Sequence, residues 1–139
     1  ATAVPQSGLG AAAAASGLVL LEAMAMGPDG FVAMAGSRAA AAVARQEEVP
    51  VWLVAGVGRV LPAALWTALI GRLAAAGDPW EAEEEVVPIE LVDQVVGSEG
   101  PVPPDAVSRW ATCPAVPELT RTWAAPGSRR PDPGGRARS

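Results

Sequence analysis

The sequence predicts an α/β fold, a parallel sheet with flanking helices, on three observations. Leu18–Leu21 and Val51–Val54 are continuous apolar runs, the pattern of parallel strands covered on both faces. Between them, Gly36-Ser37 open an Ala-rich stretch of helix length that ends near Gln46. After the second run, Leu65, Trp66, Leu69, Ile70 and Leu73 recur at helical spacing and give one broad apolar face. Strands alternating with helices imply right-handed crossovers within one sheet. Ligands of such sheets sit at the carboxyl ends of the strands, which are Glu22–Gly27 and Ala55–Arg59 here.

From the amino end, Thr2–Val4 reads as a short strand remnant ended by Pro5. Ser7 is placed to cap a short helix over Leu9–Ala15, which Gly17 stops. Gly27-Pro28-Asp29-Gly30 is a strong turn signal, and Phe31–Ala35 leads from it into the helix opened by Gly36. Pro50 starts the second strand, and Gly56-Val57-Gly58-Arg59 forms the loop after it. Pro62 suits the first turn of the next helix, where its missing N–H is not needed. Gly77-Asp78-Pro79 ends that helix, and Glu81–Glu85 reads as an acidic, solvated connector. Val86–Val96 returns to apolar sequence before the turn-rich stretch Gly97–Pro104. Trp52 and Trp66 are expected in the core, with Trp80 and Trp110 covering the far side or a subunit contact. The composition divides the chain into one domain over 1–119 and a disordered Arg/Pro/Gly tail over 120–139.

Composition excludes several kinds of chemistry. The 139 residues are 50% apolar, enough to fill one moderate core. There is no His, Lys or Tyr. That removes His-based acid–base catalysis, the common zinc sites, a Schiff-base lysine and a Walker lysine. No cofactor and no metal is expected, since Glu81–Glu85 lacks the interleaved Gly and Asp of a calcium loop. The lone Cys113 has no basic neighbour in sequence and is expected to be an inert thiol. Residues 1–120 carry five Arg against fourteen acids, a net of −9; residues 121–139 carry five Arg against Asp132, a net of +4. An acidic body argues against nucleic acid as a partner. The apolar run Gly8–Met26 is mostly Ala and Gly, contains Glu22 and follows no basic residue. Neither a membrane span nor a signal peptide is expected from it, and a soluble, cytoplasmic protein is. The sequence opens on Ala1 directly in apolar residues, as the C-terminal part of a longer protein would. Gly8-x-Gly10-x-x-Ala13 formally matches a dinucleotide fingerprint, but Pro5-Gln6-Ser7 interrupts the strand that should run into it.

Five pieces in consistent order carry a resemblance. They are Leu20-Leu21-Glu22-Ala23-Met24, Asp29-Gly30, Ala33-Met34-Ala35-Gly36-Ser37, Val49-Pro50-Val51-Trp52-Leu53-Val54 with Arg59 after it, and Val87-Pro88-Ile89-Glu90-Leu91. Arg38–Ala44, Gly100 and Pro103-Pro104 fit the same layout. Over about Thr2–Trp110 the chain resembles the C-terminal half of the initiation factor 2B alpha/beta/delta superfamily, which includes ribose-1,5-bisphosphate and methylthioribose-1-phosphate isomerases. The resemblance implies a Rossmann-like domain, assembly as a homodimer or with related subunits, and a small phosphorylated ligand. It also exposes departures. The acid that acts in proton transfer in the isomerases falls on Met24, the substrate-binding Asn-Lys pair falls on Ala33-Met34, and an Asp of the preceding strand end falls near Gln6. The isomerases' catalytic cysteine would lie upstream of Ala1. The beta and delta subunits of the initiation factor also lack the Asn-Lys pair, and they are assembly and regulatory subunits.

No catalytic residue is therefore assigned, and the expectation leans towards a non-catalytic regulatory or assembly subunit. The alternative is an aldose–ketose isomerase whose acid–base residues have moved to Glu22 or Asp29, or to a segment upstream of Ala1. Gly36, Ser37 and Arg38 are the candidate phosphate contacts, because backbone N–H groups at a helix start bind anions without special side chains. Against this, Ser37 could only cap the helix while Arg38 lies in solvent. Arg59 keeps a cation where the family has Lys, and either contacts ligand or pairs with Glu22 or Asp29. Glu22 is expected in an ion pair or facing the strand-end crevice, and Asp29 in the turn.

Overall fold

Residues 1–114 and 116–120 are described by the structure, a computed structural model of the chain. Apart from Thr120, the segment expected as a disordered tail lies outside the described residues. The elements run in the order α1 (Leu9–Ala14), β1 (Val19–Ala23), β2 (Ala25–Met26), β3 (Gly30–Met34), α2 (Ser37–Gln46), β4 (Val51–Ala55), α3 (Ala63–Ala75), β5 (Glu84–Pro88), β6 (Gln94–Gly97), β7 (Gly100–Val102) and α4 (Pro117–Thr120). Short 3-10 turns cover Gln6–Gly8, Ile89–Leu91 and Pro104–Trp110.

The predicted parallel sheet is present: β1, β4 and β6 lie side by side and parallel, with β7 antiparallel at the edge. Register places Val19 beside Val51, Leu21 beside Leu53 and Ala23 beside Ala55, while Leu53 pairs with Val95. Most of these residues share the buried face, on which α2 packs against β1 and β4. Ala40, Ala41 and Ala44 are the buried residues of α2. Their small side chains let helix and sheet approach closely, which explains an Ala-rich rather than Leu-rich helix. Helix α1 crosses α2 where Gly10 meets Val43, and Ala13 is its buried residue.

A second sheet, β2-β3-β5, is antiparallel and was not anticipated. It follows from the turn at Gly27–Gly30, where the Gly27 N–H donates to Gly30 O at 2.9 Å, and from pairing of β3 with β5 far along the chain. Phe31, Met26 and Val87 sit at its centre, all fully buried.

Several expectations are corrected. Thr2–Val4 forms no strand; its residues are exposed and pair with nothing in a sheet. Ser7 does not cap α1, because it lies inside the 3-10 turn and Gly8 takes the N-cap position without a side-chain bond. Pro62 stands one residue before α3, as its N-cap. Leu18–Leu21 is covered on one face only: Leu20 is 59% exposed beside the half-buried Trp52. Uniform apolarity told of a strand but not of which faces are covered. Glu81–Glu85 is not all connector, since Glu84 and Glu85 begin β5 opposite Met34 and Ala33. A run of charges hides a strand when its neighbour accepts one face and solvent the other. The turn-rich Gly97–Pro104 is the β6–β7 hairpin, with Gly100 at φ 98° and the Trp110 ring against Gly97. Trp66 is buried as expected, while Trp80 is 79% exposed.

Opposite the strand ends, Asp93 fastens the amino edge of the sheet. One carboxylate oxygen accepts from the Val51 N–H at 2.8 Å, and the other accepts from Arg45 at 3.0 Å. The cation at the last turn of α2 complements the helix dipole as well.

Candidate functional site at the strand ends

The candidate site is the end of the sheet where β1 and β4 stop, together with the start of α2. Gly36 shapes the entry to α2. It has φ 95°, and a Cβ there would stand 2.8 Å from Leu9 Cδ2, so conformation and space both call for glycine. The Gly36 carbonyl accepts the first helical bond from Ala40, at 2.9 Å. Ser37 is half-buried and makes no capping bond. The Arg38 side chain is exposed, but its backbone N–H donates to Glu85 Oε1 at 2.9 Å. An anion therefore does sit at this helix start, and it is the chain's own carboxylate. The field of the helix end and the unfilled N–H groups of its first turn are the physical reason.

Gln6 reaches the same place. Its Nε2 donates to Ala35 O at 3.3 Å, beside Gly36. Positions far apart in sequence, Gln6, Gly36 and Glu85, thus meet at one helix end. Glu85 is the residue that sequence reasoning missed. Its signal was the apolar run Val86-Val87 directly after it, which marks a strand rather than a connector.

Arg59 does not pair with Glu22 or Asp29. Its Nη1 donates to Met24 O at 2.9 Å, tying the loop after β4 to the end of β1. The backbone repeats that tie: Met26 N–H donates to Arg59 O and Leu61 N–H to Met26 O, both at 2.8 Å. Asp29 is the turn residue expected, with one further task. Its carboxylate accepts from the Trp66 indole N–H, and its carbonyl accepts from Ile89 N–H. The Trp66 ring lies so close to Gly27 that any Cβ there would overlap it at 2.1 Å. Turn and indole are one packed unit.

Glu22 is exposed on β1, next to Val54, and has no ion-pair partner among the described residues. Ala33 is fully buried, while Met34 is 60% exposed and Met24 36%. Where the resemblance puts an acid and an Asn-Lys pair, the chain has two methionines, both at least partly exposed, and a buried alanine. General acid–base catalysis needs a titratable side chain within hydrogen-bond reach of the substrate proton. Glu22 and Asp29 are the carboxylates nearest in sequence to these positions, and Asp29 is engaged by Trp66. Among the described residues no group of three His, Cys, Asp or Glu could hold a metal, and no helix is long and apolar enough to cross a membrane.

No family model matches the chain, and no curated protein does. Solved structures match well. The chain aligns with eIF2B beta from Chaetomium thermophilum at 19% identity and a TM-score of 0.59, over 78% of this chain and 31% of that one. A chain of the tetrameric eIF2B-beta2-delta2 complex from C. thermophilum aligns at 21% identity and a TM-score of 0.56, over 73% and 32%. Translation initiation factor eIF-2B from Pyrococcus horikoshii OT3 aligns at 13% identity and a TM-score of 0.56, over 73% and 38%. The chain spans about a third of the length of the structures it matches. At these identities the likeness is one of architecture, and the chain has the fold of that third of an eIF2B subunit.

Proposed function

We propose that the chain is a non-catalytic protein of the initiation factor 2B type, a regulatory or assembly subunit that works in the cytoplasm as a homodimer or beside related subunits. One observation carries this reading: three polar groups near the strand ends, Glu85, Asp29 and Arg59, are engaged by the chain itself. Glu85 takes the start of α2, Asp29 takes the Trp66 indole, and Arg59 takes the Met24 carbonyl. The fold shared with eIF2B beta and with a chain of the beta2-delta2 assembly supports it. A phosphorylated sugar or nucleotide at Gly36, Ser37, Arg38 and Arg59 remains compatible with it, provided the ligand displaces the Glu85 carboxylate.

The test joins turnover with binding. Ribose 1,5-bisphosphate and methylthioribose 1-phosphate are incubated with the full chain and followed by phosphorus NMR, while thermal shift reports binding of both and of AMP and GDP. The expected result is no isomerisation, with any thermal shift enlarged by Glu85→Gln and lost in the Arg38→Ala/Arg59→Ala variant. Isomerisation that disappears in Glu22→Gln or Asp29→Asn would instead identify an isomerase with a relocated acid.

A further inference from the structure

The parallel part of the first sheet has an open face. Leu20 and Glu22 of β1, Trp52 and Val54 of β4, and Gln94 and Val96 of β6 alternate with residues that point into the core, and all six stay exposed or half-buried. Parallel sheets occur almost only with helices on both faces, because both faces are apolar. Among the described residues the helix layer is present on the α2 side alone. Size limits what fits on the other side. Four strands about 4.8 Å apart, with about five residues in the longest, give a face roughly 14 Å by 17 Å. One α-helix, about 10–12 Å across and about eleven residues long, covers it. A second copy laid sheet to sheet falls well short of the roughly 800 Å² per partner that a stable interface buries. It also brings two like charges, Glu22 of each copy, into one small contact.

Charge at the two ends of the face says which helix. Glu22 stands at the carboxyl end. At the amino end Trp52 and Gln94, together with Arg45, Glu48 and Asp93, line an open cavity of about 590 Å³. Asp93 already holds Arg45. Among the described residues Glu22 and Glu48 therefore border the face without a cationic partner. Glu48 is exposed and stands at φ 57°, where α2 ends and where glycine fits without strain. Glu22 is level with Val54, and Glu48 lies two residues before Pro50. About 13–20 Å of extended chain separates the two levels, which matches about nine to thirteen residues of helix.

We propose that this face binds an amphipathic helix of a partner protein, its apolar stripe over Leu20, Trp52, Val54 and Val96 and a basic residue at each end of that stripe. One basic residue meets Glu22, and the other enters the cavity between Trp52 and Glu48. An arginine suits the cavity best, because its plane stacks on the indole while the carboxylate accepts from its N–H groups. The proposal rests on the assembly reading above and names the face and the partner element. Turnover of a sugar phosphate refutes that reading and leaves this face untouched, whereas the binding experiment below bears on the face alone.

The experiment titrates the isotope-labelled full chain with a synthetic helical peptide and reads backbone amide shifts by NMR. The peptide has about 18 residues, leucines at i, i+3, i+4 and i+7 spacing, and two arginines about eleven positions apart. A scrambled peptide of the same composition is the control for simple attraction to an acidic protein. Shifts concentrated on Leu20–Glu22, Trp52–Val54 and Gln94–Val96 are expected, with the scrambled peptide at least about tenfold weaker. Leu20→Arg and Glu22→Arg/Glu48→Arg should each weaken binding about tenfold, and a peptide with glutamates in place of its arginines should recover the second variant. All three positions are exposed, so both variants are expected to keep the urea midpoint of the parent chain. No binding, equal binding of the scrambled peptide, or shifts centred on α3 and β5 overturns the proposal. So does a concentration-dependent dimer of the chain alone that Leu20→Arg makes monomeric, which would assign the face to a second copy.

Discussion

Two turns lie near the strand ends, and they are held in different ways. The Gly27–Gly30 turn is closed by packing: the Trp66 indole lies across it, and Gly27 leaves no space for even a methyl group. The Ala35–Arg38 turn is closed by polar contacts, with Gln6 on the Ala35 carbonyl and Glu85 on the Arg38 N–H. Packing of buried atoms has no substitute in solvent, whereas a carboxylate on an exposed helix end exchanges with water, salt or another anion. The first turn is therefore scaffold, and the second is where a ligand could compete.

Substitutions that probe the comparison should fall in a definite order when stability is read from urea unfolding. Trp66→Ala empties the space beside Gly27 and Gly30 and should cost about 3–5 kcal/mol, the largest effect. Gly27→Ala forces a methyl group into the ring and should cost about 1–3 kcal/mol or more. If it were neutral, the packed account of the first turn would fail. At the second turn, Gly36→Ala should cost about 1–2 kcal/mol, from the left-handed conformation and the push against Leu9. Glu85→Gln should be the mildest, about 0.3–1 kcal/mol at low ionic strength and less as salt is added. A loss at Glu85 as large as that at Trp66, or one indifferent to salt, would erase the distinction between the two turns.

Legibility in the sequence follows the same division. The Gly27-Pro28-Asp29-Gly30 turn, the helix opened by Gly36 and the strand after Pro50 were all readable, because each depends on residues adjacent in the chain. Trp66 was readable as core from its helical spacing with Leu65 and Leu69. Its indole bond to Asp29 was not, since 37 positions separate the two. Glu85 was read as solvated because its neighbours Glu81, Glu83 and Glu84 are acids. Only the pairing of β5 with β3 sets it beside Arg38. Arg59 was correctly placed at a strand end, yet its partner is a backbone carbonyl, which no side-chain pattern announces.

The open face of the parallel sheet makes the same point through burial. Leu20 and Leu21 are adjacent and identical in type, but Leu21 packs against the core while Leu20 is 59% exposed. Period-two alternation sends neighbouring side chains to opposite faces. What covers each face depends on elements elsewhere in the chain.

By itself the sequence determined the local vocabulary: two apolar strands, an Ala-rich helix with a glycine at its start, a proline-glycine turn, and an absence of His, Lys and Tyr that narrows the chemistry. Those properties are set by backbone preference and side-chain type, which act over a few residues. The tertiary structure alone decided that Glu85 occupies the start of α2, that Asp29 serves Trp66, and that the face bearing Leu20 stays open. Each of these depends on contacts between distant segments, whose geometry exists only once the two sheets and α2 have come together.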